Sequence, residues 1–165
     1  MPISWTSASG TMSYRRSVSI CQGITGVCST KIKELYQGLW NAVDGICDKR
    51  YLKDRPKSVP VSERPDSYIV ISLPYDIYNN EISDTGVYND FTTTVQIEIF
   101  VRDKVSSKNP NEFNVLAMSD KVDKVMNLFP IITEQFTVTK PRVTMQDGDG
   151  DGFSVTIIQG FLRTK

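Results

Sequence analysis

Apolar positions recur along this chain at two distinct spacings. Ile32, Leu35, Tyr36, Leu39, Val43 and Ile46 follow one another at intervals of mostly three and four. That spacing predicts an amphipathic helix, capped by Ser29 or Thr30 and ending near Asp48. Gly38 and Gly45 weaken its local propensity, so tertiary support or close packing is expected at those points. Val115, Met118, Val122, Val125, Met126 and Phe129 form a second stripe. It predicts a helix entered through Asn109 and Pro110 and closed by Pro130, with Met118 and Met126 as core filler.

Other stretches alternate with a period of two. SYIVISLP reads as a buried strand over residues 68–73, stopped by Pro74. A polar loop with interleaved aromatics follows, with room for a short extra strand. TTTVQIEIFVRD is the clearest strand: Val95, Ile97, Ile99 and Val101 face one side, Gln96, Glu98, Phe100 and Arg102 the other. EQFTVTKPRVTMQ alternates through Phe136, Val138, Val143 and Met145, and Pro141 within it marks an edge strand or a bulge. GFSVTIIQGFLRT alternates through Phe153, Val155, Ile157 and Phe161. Between the first helix and the first strand, residues 50–66 carry Pro56, Pro60 and Pro65 and read as a surface connector with solvated charges.

The order is therefore α-β-β-α-β-β. It predicts an α+β fold, a mainly antiparallel sheet with two helices packed on one face. Residues 29–165 form this single domain. Residues 1–28 are rich in Ser, Thr and Gly without a clear period. Ile3, Trp5, Tyr14, Val18, Ile20 and Ile24 are nonetheless too many apolar groups for a pure linker. An extended arm that orders against the domain or a neighbouring subunit fits both facts.

Composition narrows the chemistry. The chain has no histidine, which removes the usual general base near neutral pH and the imidazole partner of a serine or cysteine nucleophile. Nineteen basic and nineteen acidic residues cancel, which argues against nucleic acid as the main partner and permits close protein association. Cys21, Cys28 and Cys47 are an odd number without CxxC spacing, so reduced thiols are expected, Cys47 at an apolar helical position. No secretory signal or membrane-spanning run is expected.

The stretch MQDGDGDGFSV places Asp147, Asp149 and Asp151 like the opening ligands of a calcium loop. Position twelve is then Ile158, within a strand, and strands flank both sides, so the EF-hand pattern fails. A looser metal clip on these three aspartates is the alternative to a plain hairpin turn, the reading that Asp-Gly repeats between alternating strands favour. Neither GxxxxGK[ST] nor GxGxxG occurs, and Glu98 lacks the lysine two residues on that a restriction-type nuclease uses. Tyr68, Tyr75, Tyr78, Tyr88 and Phe91 lie among Asp76, Glu81, Asp84 and Asp90, which favours packing or a protein interface over base stacking.

The succession of helix, proline-rich connector, strand, long TTTVQIEIFVRD strand, helix closing in NLFP and terminal strand pair resembles the small neck and tail-completion proteins of tailed bacteriophages. These include tail terminators and head–tail connectors, and the resemblance covers residues 30–165. It implies a non-enzymatic virion subunit, made in the host cytoplasm, that forms a homo-oligomeric ring at the portal–tail junction. Its partners would be its own copies and adjacent ring, portal or tail proteins. DNA would pass through the lumen without being read. No cofactor and no membrane contact are implied.

Overall fold

The computed structural model describes residues 31–82, 88–104, 112–146 and 148–165, with the backbone alone for residues 79–82 and 88–89. Lys33–Lys165 form one compact unit. The expected arm and the Ser29 or Thr30 cap lie outside the described residues, whereas the second helix is entered at Asn114 and not at the expected Asn109–Pro110, because residues 112–114 are not helical.

Helix α1 occupies residues 31–42, and turns follow it through residue 48. It ends earlier than the apolar spacing predicts. Gly45 takes a φ of +71°, a left-handed conformation that redirects the chain and that side chains bearing a Cβ resist. Leu35 and Leu39 from the helix, with Val43 and Ile46 beyond it, remain buried. Cys47 therefore sits past the helix rather than on it. The requirement for close packing at Gly38 is met: a methyl group there would lie 2.5 Å from Phe136 Cε1.

The strands are β1 (Lys49–Leu52), β2 (Ser67–Ser72), β3 (Tyr78–Ile82), β4 (Tyr88–Arg102), β5 (Ile131–Ile132), β6 (Phe136–Gln146) and β7 (Phe153–Thr164). Helix α2 (Val115–Met126) stands between β4 and β5. Asn114 caps it, accepting a hydrogen bond from the amide of Ala117 at 3.4 Å. The sheet runs β1-β2-β4-β7-β6-β5, with β3 also paired to β4. All described pairings except β1 with β2 are antiparallel. The fold is thus the expected α+β class. The additions to the expected order are β1 and β5, strands too short to show a period, and β3, which takes the room left for a short extra strand.

Ile69 and Ile71 of β2, Val95, Ile97, Ile99 and Val101 of β4, Phe136 and Val138 of β6, and Ile158 and Leu162 of β7 form one buried cluster with residues of both helices. Both helices therefore cover the same face, as the pattern predicts. Strand β7 departs from its predicted set. Phe153 and Val155 are buried on the opposite face, Phe161 is exposed, and Ile158 and Leu162 supply the helix-side core. An apolar run such as Val-Thr-Ile-Ile can serve either face, and only the register with β4 chooses.

The second face is not simply polar. Tyr68, Val70, Phe100, Phe153 and Val155 form a smaller buried cluster there, with Tyr51, Val61 and Ile157 packed against it. The rings of Tyr68 and Phe100 stack at 4.5 Å between centroids. Part of the connector covers this cluster, so the segment expected to be wholly at the surface is a structural layer. It also contains β1 and a short 3-10 turn, Val61–Glu63.

At Pro141 the register between β6 and β7 shifts between Thr139 and Arg142, and Lys140 takes a φ of +53°. The proline marks a bulge, one of the two expectations for it.

Candidate functional site

The Asp-Gly stretch joins β6 to β7 and is held in one conformation by its own side chains. Gly150 and Gly152 have φ of +81° and +82°, which glycine adopts without steric cost. The Asp149 amide donates to the carbonyl of Phe153 at 2.9 Å. Asp149 Oδ1 accepts from the amides of Asp151 and Phe153 at 2.8 and 3.2 Å. This is the local side-chain-to-backbone bonding that makes aspartate a turn residue. The turn is a hairpin connection, but not a free tip.

Two arginines of the connector fasten it down. The Asp149 side chain is 0% exposed, with Oδ2 3.7 Å from Arg55 Nη1. Arg64 Nη1 donates to Asp151 Oδ2 at 2.8 Å. Arg64 also donates through Nε to the Val59 carbonyl at 3.1 Å, and the Arg55 guanidinium lies 4.9 Å from the centre of the Phe100 ring. Arg102 completes the set. It donates to Asp66 Oδ1 at 2.9 Å and to the carbonyls of Arg64 and Val61 at 2.6 and 3.2 Å. Its guanidinium stands over the Phe153 ring.

Of the three candidate metal ligands, Asp149 and Asp151 both face guanidinium groups, and Asp147 lies outside the described residues. Among the described residues no three histidine, cysteine or acidic side chains converge. The cationic charge that compensates these carboxylates comes from the chain itself.

Arg55 and Arg64 are the residues that sequence reasoning missed, since the connector's charges read as solvated. A signal was present: both cations that engage the loop are arginines, and the planar fork suits combined bonding to carboxylates, carbonyls and aromatic faces better than lysine.

Tyr68 packs beneath this cluster. Burial, with the nearby Asp149 carboxylate, pushes its hydroxyl up to about 12. The nearby Arg64 acts in the opposite direction, lowering it, and Tyr68 Oη is buried with no hydrogen-bond partner. Burial likewise pushes the Cys47 thiol up to about 11, against a smaller lowering by the nearby Ser67 side chain. A thiol held so high is a poor nucleophile at neutral pH. Cys21 and Cys28 lie outside the described residues.

Three further surface features bear on function. A groove of about 390 Å³ is lined by Lys53, Arg55, Lys57 and Arg64, but also by Asp54, Glu98 and Asp151. Its acids offset most of its positive charge. The second is an apolar groove between α2 and β6, flanked by the exposed side chains of Val115, Val143 and Met145. At the other end of the sheet β3 pairs with the start of β4. There Tyr75 and Tyr78 are exposed while Phe91 is buried. The base of that pairing is anchored by the buried Asp90 carboxylate, which accepts from Arg163 and from the Thr164 hydroxyl. Tyr68 and Phe91 thus serve the core, and Tyr75 and Tyr78 are available for contact.

Among the described residues, no helix is long and apolar enough to cross a membrane. No protein-family model matches the chain, and no curated protein matches it in sequence.

Proposed function

We propose that this protein is a non-enzymatic structural subunit of a tailed-phage virion, forming a homo-oligomeric ring in the neck or tail at the portal–tail junction. The observation that carries self-association is the apolar groove beside β6. Val115 is 57% exposed and Met145 63% exposed, at a sheet edge where β5 covers only the beginning of β6. Exposed apolar side chains along a bare strand edge favour pairing with another chain. The phage assignment is supported by the order of elements in residues 30–165. The balanced charge and the absence of histidine agree with a building block that lets DNA pass without reading it.

The competing reading, a metal-binding module or enzyme on Asp147, Asp149 and Asp151, gains no support from the loop's geometry, because arginines already face two of its carboxylates.

The test is mass measurement by light scattering on the purified protein, alone and with adjacent ring or portal proteins, together with mass spectrometry of particles. A closed oligomer of defined mass and presence in particles are expected. A protein that stays monomeric with every partner and is missing from particles overturns the proposal.

A further inference from the structure

The outer edge of β6 also indicates which partner it takes. Residues 140–146 are exposed on both faces of the sheet. One edge of the stretch 142–146 pairs with residues 155–159 of β7. Strand β5 reaches only Thr137 and Val138, so the other edge of 142–146 has no strand neighbour among the described residues. Sheet edges are usually blunted by charge, proline or a bulge. Here those devices stop early. Lys140, Pro141 and the register shift stand at the start of the stretch, Arg142 follows, and Val143, Thr144, Met145 and Gln146 carry no charge.

The side chains of 142–146 repeat their character symmetrically about Thr144. Val143 and Met145 face the helices, where with Val115, Met118 and Val122 of α2 they line a cleft of about 240 Å³. Its rim is open, since Val115, Val143 and Met145 are exposed. Arg142, Thr144 and Gln146 alternate onto the other face. An antiparallel copy of the same strand, centred on Thr144, therefore matches it position for position. Val143 of each copy stands opposite Met145 of the other, Arg142 stands opposite Gln146, and Thr144 meets its own counterpart, a favourable cross-strand pair. Other centres fit worse. Centring on Val143 brings Pro141, which has no N–H, into the seam, and centring on Arg142 sets two guanidinium groups against each other. Charge agrees at the ends as well. The antiparallel run carries Lys140 and Arg142 toward the second copy's Asp-Gly turn, where the Asp151 side chain is 46% exposed.

We propose that two copies of this chain pair through residues 142–146 of β6, antiparallel about a two-fold axis at Thr144. The pair forms one continuous sheet with the α2 helices of both copies on the same face. Val143 and Met145 of the two copies join the two clefts into a single apolar strip. The contact goes beyond the ring reading above: an isologous interface closes on itself, so a ring built from such pairs needs a further surface.

The test is disulfide trapping in the full chain under mild oxidation, followed by peptide mapping. Thr144→Cys should give a disulfide joining position 144 of two copies. Arg142→Cys and Gln146→Cys should link to each other when mixed, and neither to itself. A position 144 that links only to a native cysteine or not at all, or links between like positions 142 or 146, overturns the proposal. A second measurement uses Val143→Lys/Met145→Lys, both at exposed sites, in sedimentation without partners. The wild-type mass should correspond to an even number of chains, and the variant's smallest species should be one chain with unchanged circular dichroism. A variant that pairs like wild type, or a wild type monomeric at every concentration, overturns this contact. A wild-type dimer that never assembles with adjacent ring or portal proteins and is missing from particles overturns the ring reading and leaves the pair standing.

Discussion

Arg64 and Asp151 are 87 residues apart in the chain, and their side chains meet at 2.8 Å. With Arg55 and Asp149 they tie the last hairpin to the connector, across the face of the sheet opposite the helices. The two pairs differ in burial. Asp149 is enclosed, whereas the Asp151 side chain is 46% exposed. Removing one partner of an enclosed pair strands the other charge, while exposed pairs contribute little.

Asp149→Ala is therefore expected to cost about 3 kcal/mol, since it also removes the acceptor of two turn amides. Asp151→Ala should cost less than about 1 kcal/mol. Urea unfolding of the two variants checks the order. Equal losses would mean that burial does not separate these pairs.

Calcium or magnesium should leave the melting temperature unchanged, because Asp149 Oδ1 is occupied by two amides, its enclosed Oδ2, which has no hydrogen bond, lies 3.7 Å from the Arg55 guanidinium, and Asp151 Oδ2 accepts from Arg64. Thermal melts with metal and with chelator test this. A rise on adding metal that disappears in Asp149→Asn/Asp151→Asn would restore the cation reading.

Gly38→Ala would gain about 1 kcal/mol in an unpacked helix. Here the new methyl meets the Phe136 ring at 2.5 and 2.9 Å, and overpacking of this kind costs about 1–3 kcal/mol. The net effect should be a loss of stability, recovered in part by Phe136→Leu in the same chain. Melting temperatures of the single and double variants decide it.

Alkaline pH should destabilise the fold. Cys47 rises from 9.0 to about 11 and Tyr68 from 10.0 to about 12. Both are neutral acids that the folded state keeps protonated. Their contribution is whole below the unfolded values and is lost as pH climbs through the folded ones, a window from about pH 9 to about pH 12. Tyr68→Phe should flatten the upper part of that decline. At neutral pH it should cost little, because the hydroxyl it removes is buried without a hydrogen-bond partner. Denaturant titrations across this range test both statements.

Arg102→Gln should loosen the connector while sparing the helix-side core. Its guanidinium holds the carbonyls of Val61 and Arg64 and the Asp66 carboxylate. Faster tryptic cleavage after Lys53 and Lys57 is expected, since Arg55 and Arg64 each precede a proline that blocks trypsin, with far-ultraviolet dichroism unchanged. Unaltered cleavage would show that the aromatic cluster beneath holds the segment unaided.

Much of the architecture was legible in the sequence because helix and strand periods are local. Leu35 and Leu39, or Val95 through Val101, declare a buried face from residues only two to four positions apart. Pro141 announced its bulge for the same reason, since a missing N–H and a fixed φ act on the spot. The tertiary structure alone decided matters that depend on distant partners. It ended α1 before Asp48, recruited residues 49–52 as a parallel strand, and divided the apolar residues of β7 between two faces. It also brought arginines against Asp149 and Asp151 in the Asp-Gly turn. A carboxylate shows in the sequence as a charge, but whether a cation of the chain or the solvent meets it depends on the arginine that folding brings beside it.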